Sequence, residues 1–274
     1  DCDDGDACTT VHGCKDKACV GSAPPDCDDG DACTADTCDV ASGSCKNEKL
    51  PLAACCAAAG GTLESGTYCV KTDVKGIEWG LVPSGTFQMG CNAALDSSCD
   101  SYSNEKPQHE VTITQPFWLG LTEVTVANYQ ACVDGGPCSA PSTTGTFCSG
   151  SYAKLNNWPT VNPGRAQHPV NCVDWSQATA YCTWVGGYLP TEAQWELAAR
   201  GRCEENGGVS GCASKMRKYP WGNAEPACGT QAVFASGGYG CGQHQTWAVK
   251  TGSGSGRGPY GHYDLAGNVW EWVQ

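Results

Sequence analysis

Basic residues are scarce in this chain: 16 Lys and Arg stand against 29 Asp and Glu, a formal net charge of -13. Nucleic acid and anionic membranes both recruit a basic face, so this balance argues against either as a partner. Long apolar runs are missing as well, and none approaches the roughly 20 residues of a membrane helix. No cysteine pair is spaced C-x-x-C, and none of the five His stands at zinc-site spacing from another His or Cys. Charged residues of both signs reach only 16%, against roughly 25% in ordinary globular domains. The chain opens on Asp1 rather than Met, so no export signal is visible and the compartment has to be argued from the cysteines.

Cysteine is what the chain has in abundance: 22 residues, an even number, spread along nearly its whole length. A reducing cytosol rarely tolerates so many thiols, and with zinc spacing absent, disulfides are the remaining use. An extracytoplasmic protein is expected, secreted or held in a periplasm or at a cell surface. With 36 Gly and 10 Trp, it reads as loop-rich, its loops pinned by bridges and aromatic side chains.

An internal repeat opens the chain. Asp1-Cys-Asp-Asp-Gly-Asp-Ala-Cys-Thr9 returns as Asp26 to Thr34, nine identical residues at a period of 25. Further cysteines follow in each copy, Cys14 and Cys19, then Cys38 and Cys45. Units this short cannot bury a core, and four cysteines per copy would allow two bridges in each. The aspartates (Asp3, Asp4, Asp6 and Asp28, Asp29, Asp31) suit calcium by chemistry, but none has a Glu at the twelfth position of an EF-hand loop. Asp-Gly turns between bridged cysteines are the plainer reading. The repeat resembles the cysteine-rich repeat of slime-mould matrix proteins.

Three units are expected: the repeats over 1–48, a cysteine-containing connector over 49–78 with vicinal Cys55-Cys56 and then Cys69, and one larger domain over 79–274. In the larger domain, start and stop signals predict short helices over Thr125–Asp134, Ser176–Val185 and Glu192–Arg200. Thr191 with Gln194 offers a capping box and Gly201 a left-handed stop. Alternating segments such as Val111 to Thr114 read as strands, giving a mixed α+β domain with much irregular chain.

A run of strings in this domain resembles one family. They are Val82-Pro-Ser-Gly-Thr-Phe-Gln-Met-Gly90, Thr122-Glu-Val-Thr125, His168-Pro-Val170, Ala180-Tyr-Cys-Thr-Trp184, Leu189-Pro-Thr-Glu-Ala-Gln-Trp-Glu-Leu-Ala-Ala-Arg-Gly201, Pro220-Trp-Gly-Asn223 and Tyr263-Asp-Leu-Ala-Gly-Asn-Val-Trp-Glu-Trp272. In order and at ordinary spacing, they are similar to the formylglycine-generating-enzyme, or sulfatase-modifying-factor, family over 79–274. The resemblance implies an irregular α+β fold related to C-type lectin-like domains. In that fold Trp175, Trp184, Trp195, Trp221, Trp270 and Trp272 are expected as packing posts beneath loops, with a sugar-stacking platform as the alternative.

The resemblance also implies chemistry. Enzymes of the family oxidise a sulfatase cysteine to formylglycine with oxygen and a copper ion held by two cysteines, a soft ion on soft ligands. In the family that pair lies beyond the G-N-V-W-E-W string, so it falls on none of the 22 cysteines here, and the domain is expected to be incomplete after Gln274. Copper would enter only with such a later pair. Cys182 occupies a position that in some relatives bridges to a later cysteine, and is expected to lack a partner. A family calcium site carries over to Asp264, Gly267, Val269 and Glu271, two carboxylates and two main-chain carbonyls that suit a hard cation. A second family calcium site, near Gln231 to Val249, has no evident ligands and is not carried over. Glu105, His109, Glu123, His168, Glu192 and Glu196 are expected to be architectural. Two functions stay open: an exported oxidoreductase acting on a sulfatase-type protein, or a non-catalytic domain that binds an extracellular glycan or protein. An iron-dependent sulfoxide synthase would need a histidine-rich partner domain.

Overall fold

The structure is a computed structural model. It describes the chain apart from residues 1–5, 10, 16–17, 23–24, 94–95, 97–98, 100–104, 147, 207 and 252–255, and of residues 11–15, 18–22, 151 and 209 it describes the backbone alone.

Each repeat forms one antiparallel hairpin, β1 (Val11–Lys15) with β2 (Ala18–Ser22) and β3 (Thr34–Cys38) with β4 (Cys45–Lys49). The aspartates serve the turns. Asp6 Oδ1 accepts from the Cys8 main-chain N–H and Asp31 Oδ1 from that of Cys33, at 2.9 and 2.7 Å, so the identical sequences make the identical local bond. Asp3 and Asp4 lie outside the described residues.

The bridges do not close within each copy, as the repeat led us to expect. Cys8 pairs with Cys38 of the next copy, and Cys33 reaches Cys55 in the connector; among the described bridges of the repeats, only Cys27–Cys45 stays inside its unit. Cys56 then joins Cys69. A period of 25 residues places like cysteines at like spots on successive hairpins, and neighbours in space then become neighbours in bonding. Cys2, and the side chains of Cys14 and Cys19, lie outside the described residues.

Residues 49–78 also do more than connect. They supply α1 (Leu52–Ala58), β5 (Thr62–Glu64) and β6 (Tyr68–Thr72). With β7 (Glu78–Val82) and β10 (Phe117–Gly120) these strands form an antiparallel sheet in the order β10-β7-β6-β5. Cys33, Cys55, Cys56, Cys69 and Leu81 are buried together against Trp118, so disulfide sulfur itself is part of this core.

A second hairpin, β8 (Gly85–Met89) with β9 (His109–Ile113), buries Phe87 against α4 (Glu192–Arg200), where Leu197 and Ala198 are fully enclosed. Thr191 and Gln194 make the expected capping box, and Gly201 ends the helix at φ 77°. The third core lies between α2 (Val126–Asp134) and α3 (Trp175–Trp184), where the Tyr129 and Tyr181 rings stack at 5.6 Å and Trp158 meets Tyr129 edge-on. Cys132–Cys138, Cys148–Cys172, Cys91–Cys99, Cys203–Cys212 and Cys228–Cys241 pin the loops between these elements.

The tryptophans correct one expectation. Trp184, Trp195 and Trp221 are half-buried, but Trp175, Trp270 and Trp272 are exposed, Trp270 completely. The indoles of Trp175 and Trp272 donate to the carbonyls of Val273 and Val173, which pins the chain's last residues to the segment before α3 without covering either ring. Among the described residues no helix is long and apolar enough to cross a membrane.

Candidate metal site

The segment Tyr263–Trp272 is an irregular loop held from several sides. Tyr263 N–H donates to the Leu121 carbonyl and Asn268 N–H to that of Val233. Asp264 and Asn268 each take φ 59° and Gly267 φ 93°, left-handed values that bend the loop at these three positions. Only glycine fits at 267, because a Cβ there would lie 2.2 Å from the Val233 carbonyl oxygen.

On this loop the four expected ligands share a short stretch of chain. Asp264 Oδ2 accepts from the Lys250 main-chain N–H at 2.9 Å, and Glu271 Oε2 from the Trp195 indole at 3.2 Å. The structure adds a third carboxylate from the bend that precedes α2. Glu123, only 6% exposed, accepts from the Asn268 amide at 2.7 Å and from the Val269 main-chain N–H at 3.2 Å. Glu123 has the architectural role expected of it, but its partner stands 146 residues away in sequence, so no spacing could reveal the meeting.

Three carboxylates thus crowd one loop, and no ion pair among the described residues includes Glu123, Asp264 or Glu271. Burial, and then the charges of Asp264 and Glu271, push the Glu123 carboxyl well above the usual carboxylate range. Burial raises Asp264, with the Lys250 main-chain N–H opposing. The protein packed round the Glu271 carboxyl raises it too, against the Trp195 indole, although solvent reaches the residue as a whole and tempers that push. Buried negative charge beside main-chain carbonyls, answered only in part by the Lys250 charge near Asp264, is a fit for a hard divalent cation, which would be held by Asp264, Glu271 and the carbonyls of Gly267 and Val269.

A groove of about 870 Å³ opens beside the loop. Glu123, Val269 and Glu271 line part of it, and Trp118 of the edge strand β10, Tyr181 and Cys182 line another. Tyr181 keeps a buried hydroxyl without a hydrogen bond. Cys182, as expected, has no disulfide partner, the only such cysteine among those described. Burial pushes its thiol up to about 11, which leaves it protonated and a poor nucleophile or soft-metal ligand at neutral pH.

The remaining polar candidates stay apart. Glu196 accepts from the Gly90 N–H and pairs with Arg200, His168 bonds Thr246, and His109 faces the Pro107 carbonyl. In the repeats the carboxylates of Asp28, Asp29 and Asp36 lie within 4.8 Å of one another, fully exposed. Thr34 and the main-chain N–H groups of Gly30 and Asp31 already bond two of them.

Comparison with known proteins accounts for the loop and the fold together. Residues 65–274 match the model of the sulfatase-modifying factor enzyme 1-like domain. The formylglycine-generating enzyme of Thermomonospora curvata is 38% identical over 135 residues, 45% of this chain and 39% of its own length. The inactive C-alpha-formylglycine-generating enzyme 2 of Mus musculus is 31% identical over 224 residues, 70% of this chain and 67% of its own. Among solved structures, PvdO from Pseudomonas aeruginosa superposes with a TM-score of 0.53 at 21% identity, covering 75% of this chain and 73% of that one, a likeness of fold. The chain therefore spans about two fifths of the first of these relatives. With three of the four strands of its sheet, its capped helices α2, α3 and α4 and its Gly267-Asn-Val-Trp-Glu-Trp272 loop inside the matched region, the chain belongs to the sulfatase-modifying factor enzyme 1-like family.

Proposed function

We propose that this polypeptide is the calcium-stabilised scaffold of an extracytoplasmic, sulfatase-modifying-factor-type protein, and that residues 1–274 do not by themselves convert a sulfatase cysteine to formylglycine. The state of the sulfurs carries this reading. Among the described residues, eighteen cysteines are joined in nine bridges. Cys182 is left as a single protonated thiol. A copper ion of the family type needs two thiolates in one place, and no described pair of sulfurs offers them. Bridges of this number, and the lack of a spanning helix among the described residues, fit export; secretion, rather than retention in a periplasm or on a surface, is part of the proposal.

Within this reading the chain's own residues do structural work. The carbonyls of Gly267 and Val269, with Asp264 and Glu271, would hold Ca²⁺, which supplies fixed positive charge and no redox chemistry. Thr125 caps α2 and Asp174 caps α3, fixing the helices that wall the groove. The family's oxidoreductase activity on a sulfatase-type substrate would draw on cysteines other than those described.

A second reading, a non-catalytic domain that binds an extracellular glycan or protein, is favoured by the same sulfur state and by the inactive mouse relative. The test is an oxygen-uptake assay with copper and a C-x-P-x-R peptide. No aldehyde product is expected from residues 1–274. Turnover would overturn the scaffold reading and require one of the bridges to open.

A further inference from the structure

We infer that Glu123 is the positioning carboxylate of the 264–271 cation loop, fixing the loop's ligating shape from the bend that precedes α2 and adding the negative charge that makes the site selective for a divalent ion. This rests on the calcium reading of that loop.

The geometry is specific. Glu123 Oε1 takes the Val269 main-chain N–H and Oε2 the Asn268 side-chain amide. Both carboxylate oxygens are thus spent on two adjacent loop residues. Asn268 in turn donates to the Trp247 carbonyl and accepts the Trp247 N–H through Oδ1, while its own N–H goes to Val233. Every polar group of Asn268 that can anchor the turn is therefore engaged, and Glu123 is the one charged member of the set. A left-handed non-glycine residue such as Asn268 is costly and persists where its surroundings over-determine it. Glu123 provides that constraint immediately before Val269, a carbonyl ligand.

Chemistry points the same way. Both loop groups are donors, so a neutral Gln, with its single acceptor oxygen, could take only one of them. The residue in place is an acid, 6% exposed and, among the described residues, without an ion-pair partner, and a buried acid is accommodated best where a cation lies near. Asp264 and Glu271 are the charges that act on it. A divalent cation held by Asp264 and Glu271 would neutralise the two charges that act on Glu123. Partners of this kind, one step behind the ligands, typically govern 10- to 100-fold of metal affinity.

The Trp195 indole, bonded to Glu271 at 3.2 Å, offers a readout, because an excited indole beside a bound terbium ion sensitises its emission. Terbium and calcium would be titrated into the wild-type protein, Glu123→Gln and Glu271→Gln, and melting temperatures read with and without calcium. The expected results are saturable sensitised emission in the wild type that calcium displaces, affinity about 10- to 100-fold weaker in Glu123→Gln, and a calcium-induced rise in Tm that shrinks in that variant. A merely structural Glu123 would lower Tm equally with and without calcium and leave affinity unchanged, and that result overturns the inference alone. Absence of any binding by the wild type ends the calcium reading and the inference with it. Should Glu123→Gln fail to fold, Glu123→Asp keeps the charge on a shorter arm. Affinity between wild type and Glu271→Gln then supports the inference, and wild-type affinity and calcium response overturn it.

Discussion

His262 shows how a single residue can set the chain's response to acid. It is fully buried behind β7, so close that a Cβ on Gly80 would lie 2.7 Å from its Nε2, and neither ring nitrogen makes a well-formed hydrogen bond, only weak ones to the backbone of Leu119 and Gly80. Burial pulls its pKa down to about 4, with the backbone of Leu119 and Gly80 only softening the effect. The unfolded chain takes up this proton near pH 6.5 and the folded one only near pH 4. His262 therefore costs no stability above pH 6.5, and folding weakens as pH falls from there towards 4, by at most about 3 kcal/mol. His262→Leu is expected to flatten that limb of a urea-denaturation series run from pH 7 to 4.5. An unchanged slope would assign the acid sensitivity elsewhere. Nothing in Gly261-His-Tyr-Asp264 marks this histidine as buried, since burial of a lone His depends on what the remote strand β7 leaves open beside it. Glu123 was hidden for the same reason: its burial and its contact with Asn268 are properties of two distant segments meeting.

Helices were the legible elements. Each of the three was marked at its ends by local bonds, Thr125, Asp174 and Thr191 each accepting from a main-chain N–H three residues on, and such bonds are written in consecutive residues. Thr191→Ala should cost about 1 kcal/mol, seen as a Tm lowered by roughly 2–4 °C; an unchanged Tm would mean that packing of Leu197 and Ala198, not the cap, secures α4. Strands β5 and β6 were illegible. The stretch from Leu50 to Ala59 is small and apolar and reads as linker, and the strands after it are short; they gain their meaning only by pairing with β7 and β10. The exposed Trp270 and Trp272 escaped a sequence reading because a Trp is usually buried, and here the groove beside them leaves their faces open.

At the scale of the molecule, covalent bonds tie together what small cores cannot. Three separate clusters, each of ten or fewer buried residues, are spread through the chain, and cysteines take part in all of them. The repeats are joined to the family domain through Cys33–Cys55, through the Asp31 carboxylate accepting from the Ser84 hydroxyl, and through Lys49–Glu204. Exposed ion pairs contribute little, whereas a bridge closing about 20 residues is worth about 3 kcal/mol, so the disulfide dominates that junction. Composition alone announced the oxidised state; connectivity was beyond it, because four cysteines in a unit pair equally well on paper inside the unit or across it. Mass-spectrometric mapping of the unreduced, alkylated protein tests the account most directly. It should yield linked peptides for Cys8–Cys38 and Cys33–Cys55, with Cys182 labelled only after unfolding. Cys8 or Cys33 paired within its own copy, or cysteines reduced and gathered about a metal, would contradict it.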